Sequence, residues 1–421
     1  MINDVVYFLS LFAQVLLWVV FIYYFAVSAF GWFKRKEISA DQFPVENKFI
    51  VFIAAHNEEK VIGNIIRNLK TINYPKDMYD ICVIADNCDD STAKVAIDNG
   101  ANVLERKNPA EKGKGFCLEW AFRNLFESGK EYDAVCILDA DNLVSDNFLL
   151  EMNKQLSKGN KVVQGYLDSK NPNDSWVSGN NSITFWISDR LFQLPRYYLG
   201  LSCFLCGTGF VIKTDLLKSI GWQATCLTED LEFSLRLILK GMRVAWSHEA
   251  IVYDEKPLQL KQSWKQRKRW MQGHFDCATR FLKPLITKAV KEKDRVSFDA
   301  VMYLIQPFVI VANGIALVTG SAIFIRNRTQ FVQNSNILMF ILLMLIFTYY
   351  TVTFVIAEGK MTAKILKYFI LFPLYNLTWV PIILQGFIHR NENEWVHTKH
   401  VRDLDIDDMK EVLAEKLEKA R

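Results

Sequence analysis

Short apolar segments alternate with amphipathic segments from Lys48 onward. The segments KFIVFIAA, YDICVIAD, ANVLE and YDAVCILDAD have the length and the aliphatic, β-branched content of buried strands. The intervening segments EKVIGNIIRNLKT, DSTAKVAIDNG and Gly115 to Ser128 have helical spacing, and Asp90 or Ser91 caps the second of them. Strands that alternate with helices in this way form a mainly parallel sheet covered on both faces. The pattern therefore predicts a Rossmann-like α/β domain over residues 45–255.

Four long apolar runs lie outside this domain. Val5 to Phe33 and Ala300 to Ile325 contain no charged residue, and Phe331 to Ala357 and Tyr368 to Ile388 follow. A bilayer core requires about 20 apolar residues in a helix. We therefore expect a transmembrane helix at 1–34, which is too long for a signal-peptide core, and a transmembrane region of about three apolar segments at 299–390. Pro373 and Pro381 interrupt the last run, which favours a broken or re-entrant helix there.

Positive charge is concentrated beside these runs, although the net charge of the 421-residue chain is only +4. Lys34 to Lys36 follow the first run, and residues 256–295 contain 12 Lys or Arg against three Asp or Glu. This distribution places the domain on the cytoplasmic side of a plasma membrane that the chain crosses several times. Residues 256–298 are expected to form amphipathic interfacial helices on membrane lipids, and the charged tail 391–421 to be cytoplasmic. Basic character confined to these segments does not indicate nucleic-acid binding.

All eight cysteines lie between Cys82 and Cys277. In a reducing cytoplasm they are expected to be free, mostly buried thiols. Cys203 and Cys206 form an isolated C-x-x-C, which we attribute to packing because a zinc site requires further ligands.

Polar residues follow three of the predicted strands. The first strand ends in AAHNEE (Ala54 to Glu59), the second in ADNCDD (Ala85 to Asp90) and the fourth in DADN (Asp139 to Asn142). Each cluster alone is typical of a turn or a helix cap. Because the carboxyl ends of parallel strands meet at one edge of the sheet, where ligands bind in such folds, the three together predict one pocket.

Two carboxylates separated by one residue, Asp139 and Asp141, end a buried strand. They can hold a hard divalent cation, Mg²⁺ or Mn²⁺, which would neutralise a diphosphate; the alternative is a solvated turn. Asp86 can accept hydrogen bonds from a base or a ribose. Lys112 and Lys114, in a glycine-loosened loop before a helix, suit an anion or a plain solvated loop.

The segments CGTGFVIK and LTEDLEFSLRL contribute further candidates. Gly207 and Thr208 are small enough to let a ligand approach the backbone closely. Thr228, Glu229 and Asp230 open a helix, where acidic residues are also expected for capping and dipole reasons. At the edge of the predicted pocket, Asp230 becomes a candidate general base.

The pentapeptide QRKRW places Gln266, Arg269 and Trp270 on one helical face, at positions i, i+3 and i+4. Glutamine and arginine can hold phosphate oxygens, and tryptophan offers a flat surface for a sugar ring. Arg267 and Lys268 are expected to point elsewhere, towards lipid headgroups. The alternative is an interfacial helix that Trp264 and Trp270 merely anchor.

The motifs HNEE, ADNCDD, DADN, TED and QRKRW, in this order over about residues 48–285, resemble those of the membrane-embedded processive synthases of glycosyltransferase family 2. That family includes cellulose, hyaluronan, chitin and poly-N-acetylglucosamine synthases. The resemblance implies a cytoplasmic domain of the GT-A fold, with α-helical transmembrane and interfacial segments. His56 stands where many members have tyrosine.

The resemblance also implies roles for individual residues. Asp86 would contact the nucleotide base, Asp139 and Asp141 would hold Mg²⁺ or Mn²⁺ with the diphosphate, and Asp230 would deprotonate the acceptor. Gln266 and Arg269 would close over the diphosphate, and Trp270 would stack on the acceptor sugar. The remaining expected contacts are Ala55, Asn57, Glu58 and Lys114 for the nucleotide sugar, and Glu229, Gly207 and Thr208 for the acceptor.

These features predict an inverting synthase that polymerises sugar from a UDP-sugar donor onto a growing polysaccharide and passes the chain across the membrane, with accessory subunits as further partners. One alternative keeps the fold and makes a single transfer to a lipid-linked acceptor. Two others come from different classes: a nucleotidyltransferase, and a non-enzymatic transporter or channel whose insert senses a nucleotide. The nucleotidyltransferase would not need Trp270, and the transporter leaves Asp230 without a task.

Overall fold

The computed structural model describes residues 2–32, 34–326, 346, 350, 352–390, 392 and 405–406. Its strands are β1 (Phe49–Ala55), β2 (Tyr79–Asp86), β3 (Asn102–Arg106), β4 (Ala134–Asp139), β5 (Leu143–Val144), β6 (Val162–Ser169), β7 (Phe210–Lys213) and β8 (Ala245–Asp254). Its helices are α1 (Ile2–Ala29), α2 (Ile62–Thr71), α3 (Thr92–Asp98), α4 (Lys114–Glu127), α5 (Phe148–Ser157), α6 (Trp176–Ser188), α7 (Leu194–Tyr198), α8 (Thr214–Ile220), α9 (Glu229–Leu239), α10 (Leu260–Lys291), α11 (Arg295–Arg326), α12 (Ala363–Phe369), α13 (Phe372–Leu377) and α14 (Trp379–Ile388).

The eight described strands form one sheet in the order β3-β2-β1-β4-β7-β6-β8-β5. The first four are parallel neighbours, β6 and β8 are also parallel, and β7 and β5 pair antiparallel with their neighbours. The four strands predicted from the sequence are all present. The expectation of a mainly parallel α/β sheet is confirmed.

Both faces of the sheet are buried, as a parallel sheet requires. Along β1, Ile50 and Phe52 point into one hydrophobic cluster, whereas Phe49, Val51 and Ile53 point into another on the opposite face. Alternation within a run of apolar residues therefore supplies two cores from one strand. The polar residues that follow β1, β2 and β4 lie at the exposed carboxyl edge between these cores.

Helix α1 packs against α11 outside the domain. Within the described part of the chain, one helix segment, Arg295–Ala312, has the length and apolar character needed to cross a membrane, and α1 contains a shorter apolar stretch, Val15–Ala29. Helix α12 and the continuous stretch Phe372–Ile388 meet this standard only if taken together, and they are bent by 48°. The bend agrees with the broken-helix interpretation of the last apolar run.

The C-terminal helices contact the domain and α10. The Tyr368 hydroxyl donates to the Asn173 carbonyl at 3.1 Å, and the Tyr375 and Ser263 hydroxyls lie 3.0 Å apart. A Cβ built on Gly386 would lie 2.4 Å from Cβ of Met271, so α14 and α10 are in close contact at this glycine.

Two expectations fall largely outside the described residues: the apolar run Phe331 to Ala357 and the tail 391–421. From that tail, Ile406 is described, and it packs against Leu143 and Tyr253 at the β5–β8 edge of the sheet. The part of the tail around Ile406 therefore lies against the domain.

Candidate active site

A cavity of about 230 Å³ opens at the carboxyl edge of the parallel strands. The sequence assigned fourteen residues to the nucleotide sugar, the acceptor, the metal or the base. Thirteen of them line this cavity: Ala55, Glu58, Asp86, Lys114, Asp139, Asp141, Gly207, Thr208, Glu229, Asp230, Gln266, Arg269 and Trp270. The polar clusters that follow three strands therefore meet in one place with the first turn of α9 and one face of α10. The fourteenth residue, Asn57, does not line the cavity. Its side-chain oxygen accepts from the Asp89 amide at 2.8 Å, so it holds the β1 loop against the β2 loop.

The two carboxylates at the end of β4 differ in their surroundings. Asp139 forms an ion pair with Lys114, whereas Asp141 is 3% exposed and accepts from the Asn142 side-chain amide at 3.3 Å. The Asn142 oxygen in turn accepts from the Asp139 amide at 3.0 Å and from the Thr208 hydroxyl. Asn142 therefore fixes the separation of the two aspartates. Both residues line the cavity, and carboxylates are the ligand type that Mg²⁺ and Mn²⁺ prefer.

Lys114 lies between the carboxylates and the turn that contains Gly207. Its ammonium bonds to Asp139 and donates to the Gly207 carbonyl at 2.8 Å. Burial alone would lower the pKa of this lysine, but Asp139, Glu229 and Asp230 outweigh burial and raise it. Lys114 is therefore a fixed positive charge at the N-terminus of helix α4, and it suits an anionic ligand.

Asp86 ends β2 with 6% of its surface exposed. The Arg106 guanidinium donates to its carboxylate at 2.7 Å, and the His56 ring lies 2.7 Å from its main-chain oxygen. Arg106 thus neutralises Asp86 and fixes its orientation at the wall of the cavity. His56, where tyrosine was noted in the resembling family, braces the same strand end.

Glu229 and Asp230 open helix α9 and line the cavity together with Asp86. Burial, followed by the neighbouring Asp230 carboxylate, raises the pKa of Glu229 to about 7. Burial also raises the pKa of Asp230, although Lys114 and Arg269 oppose the shift. Raised pKa values make both carboxylates stronger proton acceptors than ordinary ones, which suits general-base chemistry.

Gly207 leaves room for Asp230. Its φ of +83° lies in the left-handed region, and a Cβ built on it would lie 3.6 Å from Oδ2 of Asp230. A side chain here would be strained and would narrow the cavity beside the carboxylate. The sequence-based reason for selecting this glycine, close approach to the backbone, therefore fits its position.

Helix α10 presents Gln266, Arg269 and Trp270 to the cavity, as their helical spacing predicts. The side-chain oxygen of Gln266 is buried and accepts no hydrogen bond among the described residues. The Trp270 ring meets the Phe185 ring edge-on, with 6.1 Å between centroids. This face therefore offers two polar side chains and an aromatic surface to a ligand.

The expectation that Arg267 points towards lipid headgroups is wrong. Arg267 is 1% exposed, and its guanidinium lies 4.3 Å from the Tyr375 ring centroid and 5.0 Å from that of Trp379. It also donates to the Thr378 hydroxyl at 2.9 Å. Packing of the C-terminal helices against α10, which helical spacing alone does not reveal, turns this arginine into a clamp between them.

Other residues of the cavity were not among the sequence candidates. Asp254 ends β8 and Glu255 follows it, Phe185 belongs to α6, and Cys206 precedes Gly207. The rule that identified the first three clusters, polar residues at a strand end, applies equally to Asp254 and Glu255. Phe185 begins the aromatic segment Phe185 to Leu201, whose composition fits an interfacial helix close to the acceptor path or, equally, packing in a core.

Comparison with known proteins agrees with this architecture. A sequence model described as glycosyltransferase like family 2 matches residues 46–273, more than half of the chain. A probable glycosyltransferase, YdaM of Bacillus subtilis, is 24% identical over 84% of this chain and 86% of its own length. The β-monoglucosyldiacylglycerol synthase of Trichormus variabilis is 28% identical over 62% of this chain and 55% of its own. The poly-β-1,6-N-acetyl-D-glucosamine synthase of Staphylococcus epidermidis is 23% identical over 63% of each chain.

Among solved structures, a mannosyltransferase from Pyrobaculum calidifontis, determined with GDP-Man and Mn²⁺, superposes with a TM-score of 0.59 at 13% identity. The match covers 92% of this chain and 99% of that one, which shows a shared fold. For the two synthases named above, this chain spans about three fifths of their length. The family match, the parallel sheet and the carboxylate-lined cavity at its edge together show that the chain is an enzyme of glycosyltransferase family 2 with a GT-A-like fold.

Proposed function

We propose that this enzyme is an inverting membrane glycosyltransferase that transfers sugar from a UDP-sugar onto a growing polysaccharide at the cytoplasmic face and passes the polymer across the membrane. One observation carries the proposal: Asp139, Asp141, Asp230 and Trp270 line a single cavity. A cation site, a base and a sugar platform are thus within reach of one bound donor.

The donor half of the cavity contains Asp86 at one end and cationic or amide side chains at the other. Asp86, held by Arg106, accepts hydrogen bonds from the base, while Lys114, Gln266 and Arg269 hold the diphosphate. Ala55 and Glu58 complete the wall at the end of β1. The oxygen of Gln266 has no hydrogen-bond partner within the part of the chain that the structure describes, which indicates that this side chain is placed for a ligand or its water.

Asp139 and Asp141 fit a divalent cation. Magnesium-type sites use one or two carboxylates and complete their coordination with substrate phosphates and water. Within the described residues no group of three or more His, Cys, Asp or Glu that could hold a metal ion by itself is found. Mg²⁺ or Mn²⁺ bound there would neutralise the charge that develops on the leaving group.

Asp230 acts as the base in the acceptor half. It removes the proton of an acceptor hydroxyl, whose oxygen forms a bond to the anomeric carbon as the bond from that carbon to the diphosphate breaks. Attack from the face opposite the leaving group inverts the anomeric configuration, and UDP departs. Trp270 supports the acceptor ring, and Glu229, Gly207 and Thr208 surround the hydroxyl that reacts.

Membrane placement is supported by surface character and charge. Helix α1 exposes Phe12, Val15, Val19, Ile22 and Phe25, a surface suited to lipid. The basic segment 256–295 contains the cavity residues of α10 and runs along the chain to the start of α11. Growth of the polymer would then occur where the cavity meets the membrane.

A second candidate is a single transfer to a lipid acceptor. It is favoured by the similarity to the β-monoglucosyldiacylglycerol synthase, whose name describes a glucosylated diacylglycerol as product. The family match favours glycosyl transfer over the nucleotidyltransferase and transporter hypotheses.

The two candidates predict different products. The purified chain in nanodiscs, with Mn²⁺ or Mg²⁺, is incubated with radiolabelled UDP-glucose, UDP-N-acetylglucosamine or UDP-galactose, and the products are separated by size. A high-molecular-weight polymer from one donor supports the synthase. One sugar on dioleoylglycerol supports the second candidate, and release of free sugar alone from every donor contradicts both.

A further inference from the structure

Lys256 is a buried lysine beside the cavity. It follows β8 with 2% of its surface exposed, and two hydrogen bonds of 2.8 Å join its main-chain amide and carbonyl to the side chain of Asn171. Its ammonium donates to Oδ2 of Asp254 at 2.8 Å and lies 3.4 Å from the centroid of the Phe185 ring. A side chain fixed at both ends is suited to holding its neighbours in place.

The ring under this ammonium belongs to the cavity wall. Phe185 lines the cavity and meets Trp270 at an interplanar angle of 69°. A cation over the face of one ring and an edge-to-face contact with a second are both favourable arrangements. Lys256 therefore restrains Phe185, and through it the surface that Trp270 presents.

Besides the Phe185 ring, the Lys256 ammonium contacts the carboxylate of Asp254. Asp254 also lines the cavity, and its Oδ1 accepts from the Asn142 amide at 3.4 Å. The same amide donates to Asp141, so contiguous contacts run from the carboxylate pair through Asp254 and Lys256 to the aromatic wall. Two rings beside the carboxylates of Asp254 and Glu255 match a pyranose, which has an apolar C–H face and hydroxyl donors.

We propose that Lys256 is a positioning residue for a sugar acceptor: it clamps Phe185 against Trp270 to form a two-ring wall and joins that wall to Asp254. The inference rests on the proposed function, because it takes Trp270 as the acceptor platform. It adds that the acceptor presents a sugar ring to this wall. A bare diacylglycerol has no sugar ring and would not fit.

The test compares Lys256→Met, which keeps the aliphatic stem, with Lys256→Arg, which keeps the charge. Lys360→Met is the matched control, since Lys360 also pairs with an aspartate, Asp168, and lies 6.0 Å from the ring centroids of Tyr166 and Trp186, but does not line the cavity. UDP-glucose and UDP-N-acetylglucosamine are supplied with a β-1,6-linked N-acetylglucosamine tetramer or with dioleoylglycerol. Sugar transfer and hydrolysis of the donor by water are measured separately.

Lys256→Met is expected to raise the KM for the tetramer about tenfold, the scale of a desolvated cation–ring contact, with the donor KM and hydrolysis nearly unchanged. Lys256→Arg should recover part of the loss, and Lys360→Met should transfer normally. In a Phe185→Leu background the additional effect of Lys256→Met should be small, because the lysine acts through the ring.

Three other outcomes would contradict the positioning role, the sugar-ring assignment or the proposed function. An unchanged tetramer KM in Lys256→Met, or fully multiplicative losses with Phe185→Leu, overturns the positioning role alone. Transfer by the parent chain to dioleoylglycerol and not to the tetramer overturns the sugar-ring assignment. Absence of transfer from either donor to either acceptor overturns the proposed function and this inference with it.

Discussion

Gly273 of α10 lies so close to Thr228 that a Cβ built on the glycine would be 2.3 Å from the threonine hydroxyl oxygen. Thr228 immediately precedes Glu229 and Asp230, and Gly273 lies one helical turn beyond Trp270. The contact therefore sets the distance between the proposed base and the helix face that contains Gln266, Arg269 and Trp270. Only glycine permits this approach without displacing one of the two elements.

Gly273→Ala is expected to lower kcat/KM by roughly 100-fold, the cost of displacing catalytic groups by about 1 Å. Alanine in a helix interior is otherwise favoured over glycine by about 1 kcal/mol. Displacement of the catalytic groups should lower the rate, whereas the better helix propensity of alanine should raise the thermal midpoint, so both quantities are measured. A more stable variant with unchanged rates would show that the contact is dispensable.

Asp230→Asn should abolish transfer and retain UDP binding, because the substitution removes the proton acceptor but keeps the shape. Transfer is measured with the donor that the panel selects, and UDP affinity by calorimetry with Mn²⁺ present. A comparable loss of UDP affinity would instead assign Asp230 to the architecture of the donor site.

Trp270→Ala should impair transfer to the acceptor more than hydrolysis of the donor, since stacking on an aromatic ring stabilises the acceptor only. Trp264→Ala provides the comparison: this tryptophan, on the same helix, donates to Gln385 and does not line the cavity. Equal loss of transfer and hydrolysis in Trp270→Ala would be incompatible with an acceptor platform.

Glu229→Gln is expected to change how stability depends on pH. The folded-state pKa of Glu229 is about 7 against an ordinary value of 4.5, so this group favours folding at low pH and the contribution is lost as pH rises through 7. The variant should therefore melt a few degrees above the parent at pH 8 and with the parent near pH 4. Thermal scans across this range test the difference.

Glu232→Gln, on the same helix, supplies the control of opposite sign. Burial alone would raise the pKa of Glu232, but hydrogen bonds from Arg280 and Thr225 outweigh burial and lower it. Its contribution is therefore present above the unfolded pKa and lost as pH falls. Glu232→Gln should melt below the parent at pH 8, and parallel behaviour of the two variants would contradict the assignment.

Lys114→Met should separate metal binding from donor binding. Loss of the ammonium removes a charge-assisted contact to the diphosphate and should weaken UDP binding about tenfold. Asp139 also loses its cationic partner, so Mn²⁺ alone should bind more tightly than to the parent. Weaker binding of both ligands would place Lys114 among the residues that only support the fold of the loop.

The sequence predicted the site wherever a regular element fixes the position of a side chain. Asp86 and Asp139 end parallel strands, and such ends share one edge, whereas Gln266, Arg269 and Trp270 share a face through helical spacing. Phe185 and Lys256 could not be paired in this way, because their contact depends on how α6 meets the end of β8. Arg267 was misplaced for the same reason: α10 is covered by helices more than 100 residues later in the chain, and no local pattern records that packing.

The contact of Ile406 with Leu143 and Tyr253 bears on the number of times the chain crosses the bilayer. On the proposed membrane topology, a chain that leaves the domain at Arg295 and returns to it must cross the bilayer an even number of times. Lys360 already bonds to Asp168 of β6, so on that topology the chain is back beside the domain before α12 begins. Labels placed at the C-terminus and in the loop after β2 would then report from the same compartment.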